Sequence, residues 1–314
     1  MSVEPTREVD PSALDLRAVR RQFARAASTY DAAAVLQREV GTRMMERLDV
    51  VRIAPAAILD AGCGTGEALP ELAARYPAAR RVALDVALPM LAVARERSLS
   101  QRSLVERLLR PLGGARWSAP SFVCGDIRTL PFASGAFGLV WSNLTLQWVS
   151  DLEGAIAEFH RVLGTGGLVT FTTFGPDTLR ELRAAFLGVD ALPHVARFVD
   201  MHDIGDLLVA AGFADPVMQM EMMTLTYPDA RSLALDLHAI GATNATAGRR
   251  RTLTGRHRFE RALAALEAMP GRMADGRLPA SFEVIYGHAW KAAPRRTAEG
   301  HAIVTFERTP PARR

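Results

Sequence analysis

Apolar positions recur at three- and four-residue spacing from residue 14 to 48, through LDLRAVRRQFARAASTYDAAAVLQREVGTRMMERL. That spacing predicts helices, with a break near Ser28–Asp31. From residue 56 the period changes. AAILDA (56–61), RVALDV (81–86), SFVCGD (121–126), AFGLVWSN (136–143) and LVTFTTF (168–174) are short apolar runs that predict strands. Helical stretches lie between them: Glu67–Tyr76, ended by Pro77; Leu88–Arg97, opened by Pro89; and Leu152–Leu163, which the turn Gly164–Gly167 should stop. Strands alternating with helices over short connections predict a doubly wound, mostly parallel α/β sheet. Residues 98–120 interrupt the alternation and read as an insertion with a Gly/Pro-rich exit. After Pro176 the pattern predicts helices at 177–187, 203–211, 229–240 and 256–268, and strands at 217–227 and 281–290. These would add an antiparallel edge and a helical cap. The expected organisation is a helical lid over 1–50, a main domain over 51–293 with cap elements at 176–200 and 229–280, and a tail over 294–314, where AIVTF (302–306) would suit an edge strand.

Composition narrows the class. With 314 residues, 49% of them hydrophobic, the chain can bury a full core. No run of about 18 apolar residues occurs, so no membrane helix is expected. The polar N-terminus lacks the apolar segment of a secretory signal. Cys63 and Cys124 give neither metal spacing nor a disulfide framework, so a reduced, cytoplasmic protein without a metal is expected. The formal charge is +4, Lys291 is the only lysine, and the basic surplus falls after residue 245. An acidic protein fits such a face at least as well as nucleic acid, for which no motif is present; a merely solvated surface is the plainer alternative.

The chemistry gathers at the strand ends. ILDAGCGTGE (58–67) is a strand running into a turn with Gly62, Gly64 and Gly66, and Asp60 stands two positions before the first glycine. The spacing departs from the dinucleotide fingerprint, and no lysine is present to hold a triphosphate. Asp85 closes the second strand, where an acid can accept two ribose hydroxyls; Asp126, followed by Ile127, closes the third, where an acid and an apolar side chain suit an adenine. Each acid alone is as easily a turn cap. Three in succession beside a glycine turn point to an adenosine compound at the carboxyl ends of the strands.

This set resembles the class I S-adenosylmethionine-dependent methyltransferases, through LDAGCGTGE, ALDVALPML, GDIRTLPFASGAFGLVWSN and HRVLGTGGLVTFTTFG, covering about residues 56–175. The resemblance implies a Rossmann-like sheet of seven strands with an antiparallel last strand, and S-adenosyl-L-methionine as cofactor. It assigns cofactor contacts to Asp60, Gly62, Gly64, Gly66, Asp85, Met90, Asp126, Ile127 and Asn143. The cofactor carries a sulfonium and no phosphate, in keeping with the missing lysine.

A narrower resemblance runs from about residue 17 to 291. FARAASTYDAAAVLQREV, SNLTLQWVSDLEGAIAEFHRVL, TFGPDTLRELRAAF, PHVARFVD, TLTYPDARSLALDLHAIGATN, RRRTLTGRHRF and GRLPASFEVIYGHAW are similar to the malonyl-acyl-carrier-protein O-methyltransferases of biotin synthesis. That implies methylation of the free carboxylate of a malonyl thioester on acyl carrier protein or coenzyme A. The carboxylate is already ionised near neutral pH, so no general base is expected. Positioning and exclusion of water should carry the catalysis. An arginine is expected to recognise the carboxylate. The resemblance points to Arg197, assisted by His194, with Arg180 and Arg183 as competitors. Tyr30 would close over the methyl end of the cofactor, or simply pack as a lid. Asn143, Gln147 and Trp148 follow the fourth strand on the substrate rim, although core packing is the plainer reading for Trp148. Arg249, Arg250, Arg251 and Arg256, with Arg258, would form a dock for the acidic carrier unless they are a solvated run. Two other readings compete: a methyltransferase of quinone-type small molecules, and an assembly factor or protein-modifying hydroxylase of the kind that serves respiratory complex I.

Overall fold

A computed structural model describes residues 13–100, 119–189, 194–249 and 256–293. The chain starts with three helices, α1 (Leu16–Ala26), α2 (Tyr30–Ala33) and α3 (Val35–Arg47). The break between them falls where the helical spacing is interrupted. Asp15 caps α1, its carboxylate accepting from the amides of Arg17 and Ala18. Then β1 (Ala57–Ala61), α4 (Leu69–Arg75), β2 (Arg80–Asp85), α5 (Leu88–Ser100), β3 (Ser121–Cys124), β4 (Phe137–Ser142), α6 (Leu152–Val162) and β5 (Leu163–Phe174) alternate. The second half adds α7 (Arg180–Leu187), α8 (Met201–Ala210), β6 (Ala214–Tyr227), α9 (Ala230–Ala239), α10 (Arg256–Glu267) and β7 (Leu278–Trp290). Most of the insertion at 98–120 and the whole tail from 294 lie outside the described residues.

The seven strands form one sheet in the order β3-β2-β1-β4-β5-β7-β6. The first five are mutually parallel, and β7 runs antiparallel to both β5 and β6. All five residues of β1 are buried, as a strand covered on both faces requires. Alternation divides its neighbours between two cores. Ile58, Leu139 and Trp141 join Val40, Met44 and Leu48 of the N-terminal helices on one face. Leu59 and Val140 join Ile156 and Phe159 of α6 on the other.

The expected stop at Gly164–Gly167 is the one clear departure in the parallel half. The helix does end at Val162, but β5 begins at once and runs through the glycines. The pairing with β4 jumps from Phe137↔Leu163 to Leu139↔Leu168, so the glycines form a bulge rather than a separate turn. Gly166, with φ +75°, donates to the Lys291 carbonyl at 2.7 Å. The lysine ammonium in turn donates to the carbonyls of His160 (2.8 Å) and Leu163 (2.7 Å), closing the C-terminus of α6.

The carboxyl ends of the parallel strands open to one edge of the sheet. The N-terminal helices cross that edge and are tied to the end of α9 and the segment after it. Asp15 N–H donates to the Ala245 carbonyl (2.8 Å), Ala247 N–H to Ala13 (2.7 Å), Gln22 Nε2 to Asn244 (3.1 Å) and Thr29 Oγ1 to Ala239 (2.8 Å). No helix among the described residues is long and apolar enough to cross a membrane.

Candidate active site

Three contiguous concavities of about 650, 480 and 960 Å³ lie along this edge, and Tyr30 lines all of them. The first is built on the glycine turn. The amides of Gly62 and Cys63 both donate to the Leu84 carbonyl, at 2.7 and 2.9 Å, pinning the turn to β2. All three glycines have positive φ, but they are there for different reasons. A Cβ on Gly62 would lie 2.1 Å from Thr145 Oγ1, and one on Gly66 would lie 3.0 Å from Ala94 and Leu69. A Cβ on Gly64 would meet nothing within 4 Å, since it would project into open space where the pocket lies.

Asp85 organises this pocket. Its carboxylate accepts from the amides of Gly64 (3.0 Å) and Ala87 (2.8 Å). Burial pushes its pKa up, against the pull of those hydrogen bonds. Gly62, Gly64, Asp85, Met90, Asp126, Ile127 and Asn143, all anticipated from the sequence, line the pocket together. Gly66 does not line it and acts through packing. Burial raises the Asp126 carboxyl, but the hydrogen bonds from Arg128 outweigh it and hold the group below its ordinary value. The roof was not anticipated: Leu16, Val19 and Phe23 of α1 close over the strand ends. Their i, i+3, i+7 spacing was legible as a helical stripe, but nothing in it says which surface it covers.

Asp60 lines the second concavity with Gly62, Gly64, Tyr30 and Asn143. It is 3% exposed, and its Oδ2 has no hydrogen-bond partner. Burial, helped by the Asp85 charge, pushes its pKa up to about 8. A buried carboxyl oxygen left open beside a glycine turn suits a cation of the ligand. Over this concavity, Thr65 Oγ1 donates to Asp31 Oδ1 (2.6 Å), and Arg97 bridges Asp31 and Glu67. That network fixes the start of α2, and hence Tyr30, above the turn. The Tyr30 hydroxyl is pushed above its ordinary pKa by burial and by the nearby Asp85, Asp31 and Glu67.

The third concavity is a wide, largely apolar chamber between the lid helices and the cap. Phe174, Leu179, Leu182, Leu237 and Phe282 supply much of its wall. It shares Phe23, Tyr30, Leu144 and Trp148 with the first pocket. The rings of Phe23 and Trp148 meet edge to face at 5.1 Å, and Phe23 and Tyr30 lie 6.5 Å apart. Trp148 thus lines a boundary rather than only filling the core. Gln147 lines the chamber, its amide donating to the Leu144 carbonyl at 2.7 Å. His194 lines it too, stacked on Phe186 with ring centroids 3.9 Å apart.

The arginines fall elsewhere. Arg197 is exposed and does not line the chamber, although its neighbours Ala196 and Phe198 do. Arg183 donates to the carbonyls of Pro176 and Thr178 within its own turn, and Arg180 sits beside Glu181. Arg249 is paired with Asp15 at 2.8 Å and donates to the Thr246 carbonyl, so it fastens α1 instead of standing free on the surface. Arg250 and Arg251, and the side chain of Arg256, lie outside the described residues.

Comparison with known proteins agrees with this architecture. A family model described as a methyltransferase domain matches residues 59–171. The malonyl-[acyl-carrier protein] O-methyltransferase of Gallionella capsiferriformans is 51% identical over 291 residues, covering 93% of this chain and 96% of that protein. The protein of the same name from Laribacter hongkongensis is 51% identical over 301 residues, covering 95% of this chain and 98% of its own. Among solved structures, the YcgJ protein of Bacillus subtilis superposes with a TM-score of 0.54 at 15% identity, over 82% of this chain and 99% of that one, a likeness of fold alone.

Proposed function

The chain belongs to the malonyl-[acyl-carrier protein] O-methyltransferase family of class I methyltransferases, and we propose that it methylates the free carboxylate of a malonyl thioester on acyl carrier protein, the first committed methyl ester of biotin synthesis. The observation that carries the site-level reading is the meeting of a glycine-turn pocket and a wide apolar chamber at Phe23, Tyr30, Leu144 and Trp148. When bound, S-adenosylmethionine supplies an electrophilic methyl group on a sulfonium. The residues present fit it. The open space beside Gly64 would admit the ligand, Asp85 would hold its ribose, Asp126 and Ile127 its adenine, and the unpartnered oxygen of Asp60 its ammonium. Phe23, Tyr30 and Trp148 offer aromatic faces to a cation at the boundary.

The chamber's task is to orient an acceptor that is already a nucleophile. A malonyl carboxylate is ionised near pH 7, so no base need remove a proton. The apolar walls exclude water and strengthen the attraction between carboxylate and sulfonium. Methylation cancels the charge of the acceptor, and that attraction is lost with it. The quinone and assembly-factor readings draw no support from relatives 51% identical along nearly the whole chain. A cytoplasmic setting accords with a carrier-bound substrate. The test is transfer of labelled methyl to malonyl-acyl carrier protein, malonyl-coenzyme A and free malonate side by side. Label in a base-labile ester on the malonyl carrier is expected. No transfer to any of them, with cofactor binding intact, would overturn the function.

Arg197 belongs at the mouth of the chamber on this reading. Its position between two lining residues suits the phosphodiester of the carrier's pantetheine arm better than an interior carboxylate. Arg197→Ala is expected to raise KM for malonyl-acyl carrier protein several-fold, leaving cofactor affinity unchanged. KM for malonyl-N-acetylcysteamine, which has no phosphate, should not move. An equal rise for both substrates would return Arg197 to the carboxylate.

A further inference from the structure

Leu144 is one of three non-glycine residues among those described with positive φ, at +47°. A leucine in the left-handed region needs its surroundings to hold it there. Its N–H donates to Thr172 Oγ1 at 2.8 Å and its carbonyl accepts from Gln147 Nε2 at 2.7 Å. Both of its peptide groups are therefore engaged by side chains.

The Thr172 hydroxyl is spent at both ends. It accepts from Leu144 and donates to Asn143 Oδ1 at 2.7 Å, and Asn143 Nδ2 donates to the Gln37 carbonyl of α3 at 3.0 Å. Thr172 lies in β5 and is fully buried. A line of hydrogen bonds thus runs from the sheet through Asn143 to the lid, and the strained residue hangs from its middle. Leu144 is also one of the four residues that line both the glycine-turn pocket and the chamber.

We propose that Thr172 is a positioning residue for methyl transfer: its buried hydroxyl holds Leu144 in the left-handed conformation, so that the leucine side chain keeps donor and acceptor in line across the boundary of the two cavities. Without the hydroxyl, Leu144 relaxes to negative φ. The following residue, Thr145, which is hydrogen bonded to the Gly62 carbonyl (3.3 Å), is then free to shift, and the partition opens. The inference rests on reading the two cavities as donor and acceptor sites.

Thr172→Val keeps the shape and the β-branch but removes the hydroxyl. It is expected to lower kcat by about 10- to 100-fold, the scale of a misaligned near-attack geometry, with KM for cofactor and malonyl substrate changed less than about threefold. Thr172→Ser should restore kcat to within about threefold of wild type. In a Leu144→Gly background, where the backbone accepts positive φ unaided and the partitioning side chain is gone, Thr172→Val should have almost no further effect. Equal effects of Thr172→Val in both backgrounds, or failure of serine to rescue, would overturn the proposal. If Thr172→Val does not fold, Thr172→Ala, which removes the hydroxyl without setting a methyl against the Leu144 amide and Asn143 Oδ1, alone and in the Leu144→Gly background makes the same distinction: a kcat defect that the glycine background does not abolish would sink it. A wild-type enzyme inactive on all malonyl substrates would instead defeat the functional reading itself.

Discussion

Gly62→Ala is expected to give little folded protein, whereas Gly64→Ala should fold and fail to hold S-adenosylmethionine. Both positions have positive φ, which costs an alanine about 1–2 kcal/mol. The surroundings make the difference. At Gly62 the new methyl would lie 2.1 Å from Thr145 Oγ1 and 2.3 Å from its Cγ2. Turning the Thr145 side chain gives no relief, because its Cβ too would lie only 2.7 Å away. Overpacking of this kind adds roughly 1–3 kcal/mol, a large share of the 5–15 kcal/mol that holds a typical domain. At Gly64 the methyl meets no protein atom, so the fold loses only the backbone term. The space it takes is the space read as belonging to the ligand, and binding of S-adenosylhomocysteine should weaken by about 30-fold or more, some 2 kcal/mol. Urea unfolding and calorimetric titration of the two variants separate these outcomes. Combining Gly62→Ala with Thr145→Gly removes the clash and should recover much of the lost stability. Wild-type cofactor affinity in Gly64→Ala would show that the turn is not the cradle.

The parallel half of the sheet was legible because its strands are buried on both faces. β1, β2 and β4 are continuous apolar runs that end in turn residues, and such runs have few other places to go. The gathering of acids at the candidate pocket was legible for a related reason. Asp60, Asp85 and Asp126 stand at the carboxyl ends of β1, β2 and β3, which the parallel sheet sets side by side. The start of β5 was misread because its glycines signal a turn, while the bulge they form is decided by pairing with Lys291, more than a hundred residues away. The arginines show the same limit. Arg249 reads as surface charge until Asp15, distant in sequence, is seen beside it. Arg197 was placed by resemblance, and no periodicity in PHVARF tells whether its side chain faces in or out. Leu144 could not have been found at all. A leucine carries no sign of left-handed backbone, and Thr172, which holds its amide, comes from another strand, while Gln147, on its carbonyl, is an ordinary near neighbour in sequence.

The second large effect is a pH dependence centred on Asp60. An unfolded aspartate titrates near 3.9, but the buried Asp60 is pushed up to about 8. Between these values the ligand-free fold keeps a proton that the unfolded chain has lost. The stability this proton contributes is fully present below the unfolded value and is lost as pH rises towards 8, at up to about 1.4 kcal/mol per pH unit. An ammonium placed at the open Oδ2 reverses the preference, because it favours the carboxylate. Binding should therefore expel the proton. Affinity for S-adenosylhomocysteine, which has the same ammonium, is expected to climb with pH between 6 and 8 by as much as about tenfold per unit. Calorimetry at pH 7 in two buffers of different ionisation enthalpy should show close to one proton released per ligand bound. Asp60→Asn removes the titrating group at nearly constant shape, so its binding should be weaker, flat across this range and free of proton release. Binding by the wild-type protein that is pH-independent from 6 to 8, with no buffer effect, would mean that Asp60 is either ionised before the ligand arrives or does not face its ammonium.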